Sequence, residues 1–135
     1  MAKASGLGWT TCSVDNSAGV VKDIKNDITD LQFATPRAVQ DITGIDKSAM
    51  ERLLLLADFS ITLKGVFNAA TDKSHDVFKT VTSTSVARTT SLTVNGVSLN
   101  NEVLYTDYPL SRSASGELTW SVPGVLADGT VPTWT

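Results

Sequence analysis

The chain has 135 residues, with 11 Lys and Arg against 14 Asp and Glu, giving a formal charge of -3 and a pI near 4.9. That length fits a single domain, residues 1–135, whose folding buries roughly two-thirds of its unfolded surface. The charge supplies no basic field to hold nucleic acid, and the aromatics are not interleaved with Lys or Arg to stack a single strand. The lone Cys12 excludes an internal disulfide or a cysteine-based metal cluster.

Residues 1–19 are rich in Ser, Gly, Thr and Ala, with Trp9 as the one large anchor. They read as an N-terminal arm loosely held in the free protein: either a frayed terminus or a segment that orders against a partner subunit. The arm lacks the apolar core of a signal peptide, and the longest apolar run, residues 53–57, is too short to span a membrane. The expectation is a chain made and kept in a cytoplasm, with no membrane partner.

Between residues 20 and 33, Val21, Ile24, Ile28 and Leu31 are spaced for a helix, whereas Thr29, Leu31 and Phe33 share a strand face. Asp23, Asp27 and Asp30 disfavour a helix interior, so a strand over 28–34 is predicted. Pro36 holds Thr35 extended, and residues 37–43 form a second strand in a hairpin-like pair with the first. Residues 44–49, with Asp46, Lys47 and Ser48, are a polar loop.

The stretch 52–68 is the part around which the chain is expected to fold. Phe59, Ile61 and Leu63 alternate with Asp58, Ser60, Thr62 and Lys64, the pattern of a strand with one buried face. Gly65 marks a bulge or a close backbone approach. The Leu53, Leu54, Leu55, Leu56 run suits a helix turn or a strand buried on both faces; continuity with the alternating segment favours the strand.

A short helix is predicted over 75–82, with Ser74 as N-cap, Asp76 in the first turn, and Val77, Phe78 and Val81 on one face. Asn95-Gly96 is the preferred pair for a type I′ turn, setting Val94 opposite Val97 and Leu92 opposite Leu99. Residues 103–108 extend that sheet to Pro109, and 117–122 alternate with Leu118, Trp120 and Val122 inward. Residues 124–135, with Pro132 and Trp134, read as a C-terminal arm. The sum is a mainly β fold, a sheet or sandwich carrying one short helix.

No catalytic constellation emerges. His75, the only histidine, reads as a solvated or capping residue beside Asp76, and no Gly-x-Ser-x-Gly elbow supports a triad. One His and one Cys cannot build a metal site, and phosphate-binding glycine patterns are missing, so no cofactor is expected. Asp41-Ile42-Thr43-Gly44 departs from the Asp-Thr-Gly of aspartic proteases by the inserted Ile42. Asp27 and Asp30 read as ordinary solvated charges.

The Asp41-Ile42-Thr43-Gly44 turn, the Arg52 to Asn68 stretch with its Asp-x-Ser-x-Thr-Leu-x-Gly-x-Phe core, and Ser74-His75-Asp76-Val77-Phe78 together resemble the major tail (tail tube) proteins of long, non-contractile-tailed bacteriophages, those infecting actinobacteria above all. The likeness runs from Gly6 to the end of the chain. It implies a β-sandwich or barrel-like subunit with one helix and no enzymatic activity. It also implies hexameric rings whose inner strands join into a continuous barrel, and stacking of those rings into a virion tail tube. Double-stranded DNA passes through without specific binding, and tape-measure and tail-terminator or initiator proteins act as partners. By matching strands, the lumen-facing candidates are Thr29, Gln40, Ser60, Thr62 and Lys64, although a lysine there runs against a purely repulsive lining. The inter-subunit and inter-ring candidates are Trp9, Asp46, Lys47, Arg52 and Trp134. Two other readings stand beside this one: the tube of a phage-tail-like or secretion machine, and a small β-barrel whose leucine run and tryptophans hold an apolar ligand.

Overall fold

The computed structural model describes residues 3–135. The chain forms β1 (Trp9–Asp15), β2 (Val21–Asp23), β3 (Ile28–Ala34), β4 (Arg37–Asp41), β5 (Arg52–Ala57), β6 (Ser60–Val66), α1 (Ser74–Phe78), β7 (Arg88–Val94), β8 (Val97–Tyr105), β9 (Leu110–Arg112) and β10 (Leu118–Leu126). The principal sheet is antiparallel in the order β2-β1-β7-β8-β10-β6-β3, with β9 added on β10, while β4 and β5 form a separate two-stranded ribbon. The sheet curls until its ends approach: Trp9 of β1 meets Phe33 of β3 edge-on at 6.4 Å. Inside this curl lie Val14, Phe59, Leu63, Leu92, Leu99, Val103 and Val122, closed on one side by Val77 and Phe78 of α1.

Local sequence explains most of these elements. Alternation in β6 buries Phe59, Ile61 and Leu63 and leaves Ser60 and Lys64 exposed. Asn95 and Gly96 take φ of 50° and 84°, and the hairpin register sets Leu92 opposite Leu99 and Val94 opposite Val97. At Gly65 the close backbone approach expected from the sequence is found, while the bulge falls on the opposing strand. A Cβ there would run into the Asp27 carbonyl oxygen and lie 2.6 Å from the Trp120 ring, and the opposing strand slips in register between Ile28 and Asp30.

Several expectations are corrected. Within the predicted arm, residues 9–15 are not loosely held, because β1 pairs with both β2 and β7 and buries Cys12 through Asp15, whereas residues 3–8 precede the strand and are mostly exposed; Met1 and Ala2 lie outside the described residues. The Ser/Thr content of that stretch belongs to a sheet face. Cys12 shows the consequence: burial first, and Asp23 second, push its thiol up to about 12. A disulfide reagent is expected to leave native Cys12 unmodified and to label it on denaturation; rapid native labelling would mean that β1 opens.

The predicted β3–β4 hairpin does not form. Instead β3 pairs with β6 and β4 with β5, so residues 28–66 make one long bent hairpin. The bend falls at Thr35-Pro36 and Asp58-Phe59, where Pro36 has no N–H to give and the Asp58 N–H donates to the Pro36 carbonyl at 3.0 Å. Beyond it Arg37 donates through Nε and Nη2 to the Leu55 carbonyl at 3.0 and 2.8 Å, spanning the register shift in the ribbon.

Asp27 is not a solvated charge but a buried one, 3% exposed. Its carboxylate accepts from the Ser74 N–H at 3.1 Å and from Asn68 Nδ2 at 3.0 Å, which satisfies the start of α1. Ser74 therefore does not cap the helix. Lys73 holds the N-cap position without a side-chain bond, and Ser74 Oγ donates to the Val66 carbonyl at 3.3 Å. The helix stops at Phe78, short of the predicted 82. Arg88, 1% exposed, holds its end, donating to the Val77 and Asp15 carbonyls and to Thr80 Oγ1. His75 is half-buried and does not cap the helix: its ring packs on Phe67 at 4.7 Å, and Nδ1 lies 3.1 Å from the Tyr108 hydroxyl oxygen.

The arm predicted from residue 124 begins later, because β10 runs on through Pro123 to Leu126. A proline lacks the N–H of a ladder but keeps its carbonyl, which accepts from the Thr106 N–H at 3.2 Å. Residues 127–135 then fold back on the same subunit, where Thr135 and Ser98 exchange backbone hydrogen bonds at 2.9 Å.

Candidate assembly surfaces

The leucine run forms the strand expected of it, but its surroundings differ from those of a buried strand. Leu53, Leu54, Leu55 and Leu56 are 50, 54, 38 and 90% exposed. The β4–β5 register pairs Val39 with Leu54 and Gln40 with Leu53, so neighbouring leucines point to opposite faces of the ribbon. Among the described residues, no element covers either face. Continuing to the tip, Ile42, Ile45 and Met50 are exposed as well. A two-stranded ribbon with no layer against it is marginal alone, and a patch of this size marks a contact surface.

The tip itself is tightly made. Asp41 Oδ1 accepts from the Thr43 N–H at 2.9 Å and from Thr43 Oγ1 at 2.6 Å, while Thr43 Oγ1 in turn accepts from the Glu51 N–H at 2.8 Å. This gives Asp41-Ile42-Thr43-Gly44 its physical meaning, a clasp across the hairpin end. The two Thr43 bonds hold the Asp41 carboxyl below its ordinary range. A depressed carboxylate contributes above its unfolded value, so the clasp is whole at neutral pH and lost as pH falls through the lowered value. Asp46 and Lys47 lie on this tip, and Lys47 Nζ sits 3.6 Å from Glu51 Oε1. Arg52 opens β5, opposite Asp41.

A second surface is the outer face of β3, β6 and β10. The registers align Asp30, Lys64 and Ser121 in one row, Gln32, Thr62 and Pro123 in the next, and Ala34, Ser60 and Val125 in a third. Ser60, Thr62 and Lys64 therefore share one face of small, mostly polar groups. Thr29 is not in these rows; it is the extra residue at the β3 bulge, with Oγ1 3.4 Å from the Lys64 carbonyl oxygen. Gln40 stands apart from them too, on the ribbon.

Trp9 and Trp134 are not free anchors but members of one aromatic cluster. Both rings lie against Phe33, at 6.4 and 5.8 Å, and Trp134 is bridged to Leu99 while remaining 48% exposed. The tryptophans thus do not line the depression of about 670 Å³ formed by Ala38, Leu54, Leu55 and Leu56. Among the described residues no group of three His, Cys, Asp or Glu is placed to hold a metal ion, and no helix is long and apolar enough to cross a membrane.

The exposed ribbon went unrecognised in the sequence because a leucine run reads the same whether its cover comes from its own chain or from another. The signal available was the polar break on either side of it, residues 44–51 and Asp58, which isolates the run from the core segments.

No family model matches the sequence, and no curated protein sequence is recognisably similar to it. Solved structures are similar in fold. A chain in the tail of an empty gene transfer agent particle, described with C6 symmetry, superposes with a TM-score of 0.71 at 16% identity, covering 98% of this chain and 99% of that one. A chain in the virion of a native gene transfer agent particle gives a TM-score of 0.68 at 15% identity, covering 97% of this chain and 99% of that one. Over nearly its whole length, then, the chain has the mainly β fold of phage-like tail components, consistent with the tail tube resemblance.

Proposed function

We propose that this chain is the repeating subunit of a virion tail tube, in which six copies close into a ring and rings stack into a channel that double-stranded DNA traverses. The observation that carries the reading is the leucine ribbon, exposed on both faces in the single chain and therefore supplied with a surface for other copies on each side. Near-complete superposition on a tail of C6 symmetry supports the ring number. Ring closure also pairs the strand edges left open at β3, β2 and β9, which removes an aggregation liability.

In this reading the subunit is structural, without catalysis or cofactor, and is made in the host cytoplasm before incorporation in the virion. The β4–β5 ribbon and its 44–51 tip make the contacts between rings. Tape-measure, terminator and initiator proteins set tube length and its ends. The outer face of β3, β6 and β10 lines the channel, with Ser60, Thr62 and Lys64 on it, while Gln40 belongs to the ring contact. The ligand-binding reading gains nothing from the geometry, since the leucine depression has no convergent polar groups and no tryptophan.

Negative-stain electron microscopy of the purified protein, and of particles containing it, tests the reading. Stacked rings with a central channel are expected; a monodisperse monomer at high concentration, together with no such subunit in any particle tail, would overturn it. Reversing the charges of Asp46, Lys47 and Arg52 is expected to shorten tubes or lower their yield. Unchanged tubes would remove the tip from the ring contact.

A further inference from the structure

We infer that Asn95 is a self-modification site gated by the N-terminal segment: its side-chain amide holds residues 5–8 in place, and once they leave it closes on Gly96 and converts to aspartate or isoaspartate. The inference goes beyond the tail tube reading and does not depend on it. Among the asparagines of the chain only Asn95 is followed by glycine, whose main-chain nitrogen has no neighbouring side chain to shield it. The pair forms the exposed tip between β7 and β8, and a Cβ on Gly96 would meet nothing within 4 Å, so the space that a cyclic imide needs is open. The same tip is an anchor. Asn95 Nδ2 donates to the Ser5 carbonyl at 3.0 Å, and the Asn95 N–H donates to the Gly8 carbonyl at 3.0 Å. Among the described residues these two bonds tie the exposed segment 3–8 to the rest of the fold, and both end on Asn95. A Cβ on Gly8 would run into the Asn95 amide oxygen, so the glycine is what lets the amide lie over the segment.

The conversion needs only water. The Gly96 nitrogen, its proton taken by solvent base, attacks Asn95 Cγ; the N–Cγ bond forms as the Cγ–Nδ2 bond breaks, and Nδ2 leaves as ammonia with its third proton from water. A second water opens the imide at one carbonyl or the other. One product is aspartate, the other isoaspartate, whose main chain runs through Cβ. Attack requires Cγ to reach the Gly96 nitrogen. Pairing of Val94 with Val97 fixes the main chain of the tip, and the Ser5 carbonyl holds the amide on the segment. Of these two restraints, the segment is the one that leaves without unfolding the hairpin. Neither product takes it back. A carboxylate has no proton to give the Ser5 carbonyl, and isoaspartate lengthens the main chain between Val94 and Val97, which breaks their register. Release of the segment is therefore one-way.

The test follows conversion at Asn95 by peptide mass spectrometry in the full chain, incubated in mildly alkaline buffer at physiological temperature. Wild type is compared with Gly8→Ala, which displaces the Asn95 amide from the segment, and with Asn95→Gln, whose longer side chain closes a less favourable ring. Circular dichroism confirms that each is folded. Gly8→Ala is expected to convert on the order of fivefold faster than wild type, the factor that one hydrogen bond controls, and Asn95→Gln to stay unconverted. The converted fraction of wild type, separated by anion exchange, is expected to be cut by chymotrypsin after the exposed Leu7 faster than the unconverted fraction. Equal conversion rates in Gly8→Ala and wild type would overturn the inference, as would equal cleavage of the two fractions. If Gly8→Ala does not fold, wild type in sub-denaturing urea decides. Hydrogen exchange over residues 5–8 and conversion at Asn95 are then expected to rise together, and a conversion rate that stays fixed while the segment opens would overturn the gate.

Discussion

Replacing Leu54 and Leu56 together by aspartate is expected to leave the subunit folded and to abolish tubes. Both side chains are exposed in the single chain, so the folded monomer loses little; surface changes of this kind usually stay within about 0.5 kcal/mol. Assembly is different, because each leucine buried at a contact contributes roughly 2 kcal/mol. Two of them amount to roughly 4 kcal/mol per contact, on the order of a thousandfold in its association constant, before the cost of burying the new carboxylates. Circular dichroism and sedimentation read the two halves of the prediction independently. A normal melting curve with no tubes is the expected pair of results, and wild-type tubes from the double variant would exclude the ribbon from the contact.

Trp120→Ala is expected to destabilise the monomer by about 3–5 kcal/mol, lowering Tm by roughly 10 °C or more. The indole lies under Gly65 and 5.2 Å from the Phe78 ring, and its Nε1–H donates to the Val66 carbonyl at 2.8 Å. Ser74 Oγ also donates to that carbonyl, so the loss comes mainly from the cavity rather than from an orphaned acceptor. Trp120→Phe therefore retains most of the stability. Chemical denaturation of both variants checks this ordering, and a loss below about 1 kcal/mol for the alanine would show that α1 collapses into the space.

How much of this was legible in the sequence depended on how local each cause is. The Asn95-Gly96 turn, the alternation of β6 and the crowding at Gly65 are written in adjacent residues and were read correctly. The role of Asp27 was not, because its partners Asn68 and Ser74 lie far along the chain and only the fold brings them to one carboxylate. The same holds for His75 and Tyr108. Residues 9–15 misled because a Ser/Thr-rich strand sandwiched between β2 and β7 has the composition of a loop. The strand predicted over 117–122 runs on to Leu126 through Pro123, although a proline inside a paired strand contradicts its usual preference for edges. Among the candidate residues, the shared face of Ser60, Thr62 and Lys64 followed from period-two spacing, whereas Thr29 lies at a bulge and Gln40 on the ribbon, apart from that face.

The break in the long hairpin at Pro36 and Asp58 has a mechanical consequence. Ladder pairing is interrupted there, and the ribbon joins the body through few backbone bonds. In a tube built from these subunits, strain from curvature would collect at those joints, between rigid discs, while the wall of each disc stays closed. Such a tail would flex like a jointed hose, its bore kept open as it bends.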